Sequence, residues 1–555
     1  MPTGLDDDGE AGCRGAGMEE FDFIVIGAGS AGCVLAERLS ADGRHRVLVL
    51  EAGGSDRSFW VQMPIGYGKL FHDPHRNWMF SAEPDEGLGG RSSYWPRGKI
   101  VGGSSSINAM VYCRGLPGDY EDWRAEGNIG WGWPEVREVF EVIERKVRAD
   151  GTVEGQGPLW ISDVSRQAHP LCRHFLAAAA EQGVPASEDF NGLRPEGVGF
   201  YHINTRSGRR WSAADAFLRP ALRRANLRLE TEARATRILF DGRRAVAVAY
   251  RRDGRDLRAQ ARGEIILACG SVMSPQLLQL SGIGPGALLQ AHGIAPLLAN
   301  EAVGGHLQDH LAVSYLYRSR EPSLNDILGT WRGRIGAGLT YLAARRGPLS
   351  LSVNQAGGFV RSRADRDRAD LQLYFNPISY STSKAGKRRL LRPDPFSGFI
   401  LSFQPCRPSS RGRIEIATPD PLAAPRIIPN YLSTPRDLDD VAAGGQFMQH
   451  IAQAPAMRAI TLDAIGPDVL AMTPAQIVED FRRRGDSVFH PVGTCRMGPD
   501  PATAVVDPAL RVHGLERLRV VDASAFPALT SGNTNAPTIM LAWKAAAAIL
   551  ADARR

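Results

Sequence analysis

Residues 21–53 read FDFIVIGAGSAGCVLAERLSADGRHRVLVLEAG, and the order of residue types in this stretch decides the fold. FDFIVIG is an apolar run of strand length, as expected for a parallel strand buried on both faces. Gly27-Ala28-Gly29-Ser30-Ala31-Gly32 follows and opens a segment of helical pattern. RVLVL, 46–50, is a second buried strand, and Glu51 closes it. A strand, a GxGxxG turn, a helix, a strand and an acid about 20 residues on form the dinucleotide-binding fingerprint. In it Gly27 permits the tight turn, Gly29 lets a pyrophosphate approach the backbone, and Gly32 lets helix and strand pack closely. The amides of Ser30 and Ala31 sit at the helix N-terminus, where unpaired N–H groups favour phosphate. Glu51 is placed to accept hydrogen bonds from a ribose.

The chain around this unit has 555 residues, more than one simple core accommodates, so two or more domains are expected. Hydrophobic residues make up 43% and charged residues 23%, the balance of an ordinary globular protein. The net charge is +6, but basic pairs such as Arg209-Arg210 and Arg243-Arg244 are scattered rather than joined into a stripe. That argues against nucleic acid as a partner. Seven cysteines, at 13, 33, 113, 172, 269, 406 and 495, are odd in number and form no CxxC, which argues for a reducing compartment. No apolar run reaches the length of a membrane span. Residues 1–17 are acidic and Gly-rich without the features of a signal peptide, and read as a disordered tail, with Met18 an alternative start.

Farther along, LRLETEARATRILFDG, AVAVAYRRDG and LRAQARGEIILACGS predict three strands joined by short turns. Residues 311–480 are less regular. Clean patterning returns with a buried strand at 518–522 and a helix over APTIMLAWKAAAAILADA, with Pro537 in its first turn. A fingerprint at one end and a strand–helix at the other predict one domain assembled from distant segments, with a second domain inserted.

Four blocks then carry a specific resemblance: GAGSAG with LEAG; RGKIVGGSSSINAMVYCRG (97–115); GSVMSPQLLQLSGIGP (270–285); and HPVGTCRMG (490–498) with VVDASAFPALTSGNTNAPTIMLAWKAA. VGGHLQDHL, 303–311, fits the same order. Over about residues 18–553 the sequence resembles the glucose–methanol–choline (GMC) flavoprotein oxidoreductases, in their alcohol and choline dehydrogenase-like branch. The resemblance implies an α/β fold, α+β overall. A Rossmann-like FAD-binding domain would span 18–160, 213–310 and 481–555. A substrate domain on an antiparallel sheet flanked by helices would span 161–212 and 311–480. It also implies FAD. Glu51 and Ala52 would hold its adenosine end, and Ala235 would contact adenine. Trp78 would pack nearby, Gly103 and Ser104 would reach the pyrophosphate, and Gly102 with Gly103 would let backbone pass against a flat ligand. Asn108, Ala109, Met110 and Val111 would run along the flavin with Phe489 beside it, and Asp522 and Ala523 would contact the ribityl chain. Some relatives tether FAD through a His after the serines. Ile107 stands there, so non-covalent FAD is expected. Trp543 stands where relatives often have Glu.

His490 and Cys495 lie five apart with no second pair at ligand spacing, and His72-Asp73-Pro74-His75 has a proline inside, so no metal is expected. The resemblance makes His490 the catalytic base and Asn533 its partner. An imidazole poised near neutrality can take the hydroxyl proton of an alcohol as the carbinol hydride leaves. An amide can hold the oxygen as charge develops on it. The implied reaction is FAD-dependent oxidation of a primary alcohol to an aldehyde by a dehydrogenase, with a quinone or oxygen as the electron acceptor. An oxidase using oxygen, a choline dehydrogenase and a non-redox lyase of the hydroxynitrile type remain alternatives. Choline-oxidising members place a Glu just before AGGF, whereas SVNQAGGF has Gln355, which disfavours a quaternary cation. LQLYFNPISY and FILSFQP are expected to supply an apolar pocket wall. The expected location is the cytoplasm, with peripheral contact to the inner membrane left open.

Overall fold

The structure, a computed structural model, describes residues 19–385 and 388–554, and between 381 and 391 its description is of the backbone. The expected tail, 1–17, lies outside the described residues.

Strand β1 (Glu20–Ile26), helix α1 (Ser30–Leu39) and strand β2 (Val47–Leu50) form the βαβ unit. All four residues of β2 are buried, as are Phe23 to Ile26 of β1, so the sheet is covered on both faces. The sheet runs Leu227–Glu230, β2, β1, Arg255–Leu267, Arg244–Arg252, Arg234–Asp241, with Leu518–Val520 also pairing Arg255–Leu267. The register aligns the carboxyl ends of its parallel members: Ile26 lies opposite Leu50 and Leu267, and Leu267 opposite Val520. Segments distant in sequence therefore end at one edge, the position at which open α/β sheets bind ligands.

Residues 227–267 depart from the reading of three strands. LRLETEARATRILFDG supplies two, broken at Glu232, whose φ is +55°. The first pairs with β2 in parallel, and the second forms the opposite, antiparallel end of the sheet. Left-handed backbone is uncommon outside glycine, and nothing in the run marks Glu232 as the break.

α1 buries Ala31 to Ala36 and packs on the C-terminal helix, Asn535–Asp552. A Cβ on Gly32 would stand 1.8 Å from the carbonyl oxygen of Gly27, so helix and turn touch backbone to backbone. Trp543, on the C-terminal helix, packs against this core with the Arg38 guanidinium 4.3 Å above its ring.

The second sheet is antiparallel: Thr461–Ala464, Leu311–Ser319, Gly398–Pro405, Leu371–Asn376, Ala356–Val360, Gly197–Phe200. Helices Cys172–Glu181 and Pro435–Gln453 cover one face. Phe375, Leu401 and Phe403 belong to the core beneath them.

Candidate active site

The other face of the second sheet looks onto a cavity of about 410 Å³, whose far wall is the carboxyl edge of the first sheet. Gly27, Gly29, Ser30, Ala31, Glu51, Ala52, Trp78, Gly103, Ser104, Asn108, Ala109, Met110, Val111, Ala235, Phe489, His490, Asp522, Ala523 and Asn533 all line it. Gly32 does not, because it is the packing glycine beneath α1. Gly102, expected to pass against the cofactor, is also absent from the wall. Its N–H donates to the Ala28 carbonyl (2.7 Å), its φ is +87°, and it turns the chain so that Gly103 faces the cavity.

The first-sheet wall is mostly backbone. The first turn of α1 has no side-chain cap, which leaves its amides free to face the cavity. A Cβ on Gly103 would lie 2.7 Å from Gly29 Cα, so the two loops meet at a separation only glycine allows. Glu51 braces the turn, with Oε2 accepting from Ala28 N–H and Oε1 from Gly53 N–H, both 2.8 Å; burial raises its pKa to about 7. Asp522 accepts from Gly270 N–H (2.9 Å), the Ser274 hydroxyl (2.6 Å) and Ser524 N–H (2.8 Å), and burial raises its pKa as well. The Ser30 hydroxyl donates to Asn535 Oδ1 (2.8 Å), which ties the start of α1 to the start of the C-terminal helix. Trp78 stacks parallel to Phe80, with Arg234 and Lys99 over its ring.

The opposite end of the cavity holds His490 and Asn533. Asn533 Nδ2 lies 3.0 Å from His490 Nε2, and His490 Nδ1 lies 3.0 Å from His310 Nδ1. His310 Nε2 in turn lies 2.8 Å from the Cys406 carbonyl oxygen. A carbonyl only accepts, so His310 carries its proton on Nε2 and offers a lone pair at Nδ1. His490 must then donate from Nδ1, which leaves Nε2 as an unprotonated acceptor for the Asn533 amide. Asn533 Oδ1 meanwhile faces the Cys113 thiol and the Gln372 amide, each at 3.5 Å. Asp309 accepts from the His490 backbone N–H (2.7 Å) and from the Tyr431 and Ser487 hydroxyls. Arg97 donates to the Phe489 carbonyl (2.6 Å), and Met110 and Phe489 hold left-handed backbone (φ +64° and +70°) at the wall.

Both imidazoles are held neutral. Burial, then the neighbouring His310 and Arg97, push His490 well below the usual imidazole value. Burial pushes His310 down to about 4. An imidazole so placed keeps a free lone pair at neutral pH, and its Nε2 can receive a proton from a bound hydroxyl.

Sequence reasoning missed His310, Asp309 and Arg97 as parts of the site. The sole signal for the first two was the pair Asp309-His310 within VGGHLQDHL. Two expectations about the substrate end are corrected. Of the expected aromatics Tyr374 and Tyr380 face the cavity, beside Asn376, Ser314 and Ser402, whereas the phenylalanines of the two strands point into the opposite core. Alternation along a strand sends neighbours to opposite faces, so only part of an aromatic-rich run reaches the wall. Gln355 does not face the cavity either. It is buried, and its Oε1 accepts from His169 N–H (2.7 Å), while Asn354 lines the wall.

Comparison with known proteins agrees with this arrangement. The GMC oxidoreductase family matches in two parts, over residues 21–312 and 408–542. An alcohol dehydrogenase [acceptor] of Pseudomonas putida is 43% identical over 539 residues, 96% of this chain and 96% of that one. A mitochondrial choline dehydrogenase of Homo sapiens is 39% identical and covers 95% of this chain and 89% of its own. Among solved structures, pyridoxine 4-oxidase from Mesorbium loti superposes with a TM-score of 0.84 at 31% identity, covering 95% of this chain and 98% of that chain. With an uncapped βαβ turn at one end of its cavity, a histidine–asparagine pair at the other, and this likeness along nearly all its length, the chain belongs to the GMC oxidoreductases.

Proposed function

We propose that the protein oxidises a primary alcohol to the aldehyde with FAD, His490 acting as base and Asn533 as the group that holds the substrate oxygen. The neutral Nε2 lone pair of His490, facing Asn533 Nδ2 across 3.0 Å at the cavity wall, carries this reading. The cavity residues fit the cofactor. The uncapped first turn of α1 and the glycine contact between Gly29 and Gly103 suit a pyrophosphate against backbone. Glu51, Ala52, Trp78 and Ala235 suit the adenosine end, Asn108 to Val111 with Phe489 the ring, and Asp522 with Ala523 the ribityl chain. Ile107 at the wall offers no nucleophile, so we assign FAD as non-covalent.

When bound, FAD supplies the acceptor for the hydride that leaves the carbinol carbon. The protein does the rest. His490 Nε2 takes the hydroxyl proton, and its Nδ1–H stays bonded to His310, which keeps the ring from turning. Asn533 Nδ2 donates to the substrate oxygen while it carries negative charge, and Gln372 and Cys113 hold that amide in orientation. The Asn535–Asp552 helix presents its N-terminal end to the cavity through Thr534, Asn535 and Thr538, and its dipole would favour negative charge on a group bound there.

The carboxylates on the described cavity wall are Glu51 and Asp522, and both are occupied by backbone amides. That supports a neutral alcohol over choline. The division into 18–160, 213–310 and 481–555 for cofactor, against 161–212 and 311–480 for substrate, is our assignment, supported by Gly197–Phe200 completing the antiparallel sheet. Electrons would then pass to a quinone, with oxygen the competing acceptor.

The test mixes the holoenzyme with a panel of alcohols under anaerobiosis and follows visible absorbance. Bleaching by primary alcohols is the expected result. A bound flavin that no alcohol bleaches defeats it and favours a lyase, and rapid recovery of colour in air assigns an oxidase. Acid precipitation is expected to release the flavin into the supernatant, and colour kept in the pellet refutes non-covalent attachment.

A further inference from the structure

The strand Leu371–Asn376 turns Gln372, Tyr374 and Asn376 toward the cavity side, while Leu371, Leu373 and Phe375 belong to the core behind it. Gln372 marks the catalytic end, with Nε2 3.5 Å from Asn533 Oδ1. Asn376 comes four residues later, about 13 Å farther along the strand.

The registers gather further polar groups between and beside these two. Ser402 lies opposite Tyr374 and Ser314 opposite Ser402, and the two serine hydroxyls, both on the cavity wall, meet at 2.7 Å. One donates to the other, so the accepting hydroxyl keeps a proton to give. Asn354 precedes the neighbouring strand Ala356–Val360, whose Ala356 pairs with Phe375, so it reaches the wall at the same far end as Asn376. Tyr67, beside Val353 and Tyr380, closes the wall there.

The amides at the catalytic end are already paired. Gln404 Nε2 donates to Gln372 Oε1 (2.8 Å), and Gln372 Nε2 donates to the Tyr201 hydroxyl (3.3 Å). Asn376 differs. It is 5% exposed, and among the described residues its Oδ1 has no hydrogen-bond partner. A buried acceptor left unpaired is costly and rare. By turning about its last torsion, this amide offers the cavity either an acceptor or a donor. The charged side chains of the described wall are engaged elsewhere: Glu51 and Asp522 brace loops of the first sheet, Arg97 holds the Phe489 carbonyl, and Arg234 covers Trp78.

We propose that Asn376, with Asn354 and the Ser314–Ser402 pair, forms a second subsite that binds an uncharged hydrogen-bonding group, a hydroxyl above all, at the far end of the substrate. The substrate class is then a chain alcohol with a second polar terminus, such as an α,ω-diol, in place of a plain alkanol. This rests on the alcohol oxidation proposed above, which sets the reacting end of the chain at His490 and Asn533. The span fits. A length of 13 Å corresponds to an extended chain of about 12 bonds, and side chains reaching in from both ends shorten it. A terminal hydroxyl can give its proton to Asn376 Oδ1 and accept one from the serine pair, whereas a terminal methyl leaves the amide unpaired. Sites built to bond a hydroxyl reject the analogue that lacks it far more strongly than apolar pockets reject an added one.

The experiment compares α,ω-octanediol with octanol as reductants of the holoenzyme's flavin under anaerobiosis. Two reactive ends give the diol at most a factor of two. We expect its second-order rate of flavin reduction to exceed that of octanol by at least about tenfold. Asn376→Leu alters a side chain whose oxygen has no partner to lose. It is expected to lower the diol rate and raise the octanol rate, whose methyl end then meets apolar carbon, so a misfolded variant is told apart from a change of preference. Ser402→Ala should move the ratio in the same direction by a smaller factor. A wild-type ratio no greater than two, or a ratio that Asn376→Leu leaves unchanged, overturns the subsite and leaves alcohol oxidation in place. If neither alcohol reduces the flavin, alcohol oxidation fails instead, and the subsite is decided by the concentrations at which the two ligands perturb the flavin spectrum. Equal concentrations, or the same advantage for the diol in Asn376→Leu, overturn it.

Discussion

The two walls of the cavity are made of different material. On the parallel-sheet side the lining is largely main chain: glycines, helix-turn amides, and carboxylates such as Glu51 and Asp522 spent on bracing loops. On the far side it is side chains drawn from distant segments, with His490, Asn533 and Tyr374 at the wall and His310 behind His490. The backbone wall depends on what is missing, since added atoms collide. The side-chain wall depends on what is present, since each group holds the next one's proton or orientation.

That contrast predicts different kinds of damage. The largest effect is expected at the end of the side-chain wall. His490→Ala should lower alcohol-driven flavin reduction by about 10³-fold, and Asn533→Ala by about 10²-fold, with FAD content unchanged. Stopped-flow reduction with flavin quantification checks this, and near-wild-type reduction in the first variant removes His490 as the base. Gly32→Val tests the other wall. Its side chain must enter space held by the Gly27 carbonyl, so a loss of about 2–3 kcal/mol of stability together with poor flavin retention is expected. Thermal unfolding and the ratio of flavin to protein absorbance decide it, and full flavin with unchanged Tm would mean the turn yields.

His310→Leu sharpens the account of the side-chain wall. It removes the acceptor for His490 Nδ1–H, and reduction should slow by about tenfold. His310→Asn, whose Oδ1 can stand where Nδ1 does, should restore most of it. Ring-nitrogen NMR of histidine-labelled wild type should place the His490 proton on Nδ1, and a proton on Nε2 would contradict the hydrogen bond from His490 Nδ1–H to His310.

The pH dependence follows from the sign of the shift. Burial disfavours the imidazolium of His490, so its pKa lies below 6.5 and the base keeps its lone pair as pH falls through 6.5. The acid limb of kcat/KM should therefore appear below pH 6.5, and a limb at or above that value argues for a solvated imidazole. The same sign applies to stability. A histidine held neutral has a depressed folded pKa, so for His310 the contribution is fully present above about 6.5 and is lost as pH falls toward about 4. The smallest effect is expected at Gln355→Glu. A carboxylate can still accept from His169 N–H, away from the cavity, so alcohol kinetics should barely change and no choline turnover should appear.

Near the backbone wall the sequence was read well because its signals are local. GAGSAG, the acid at Glu51 and the glycines at 102–103 sit within a few residues of the contacts they imply. Even there the pattern could not tell Gly102 from Gly103. Two adjacent glycines look alike in sequence, and only the fold shows one turning the chain while its neighbour touches Gly29. At the substrate end, LQLYFNPISY suggested an apolar wall, but the pleat sent Phe375 to one core and Tyr374 to the cavity.

By itself the sequence determined the βαβ unit, because strand and turn preferences act over a few residues; the cofactor class and the pairing of His490 with Asn533 came from a resemblance that rests on contiguous blocks. Only the tertiary structure decided which nitrogen of His490 holds its proton. That depends on a carbonyl at Cys406 and a ring at His310, brought together by two strands of the second sheet. Hydrogen-bond polarity passes through space from group to group, and no local pattern in the chain encodes it.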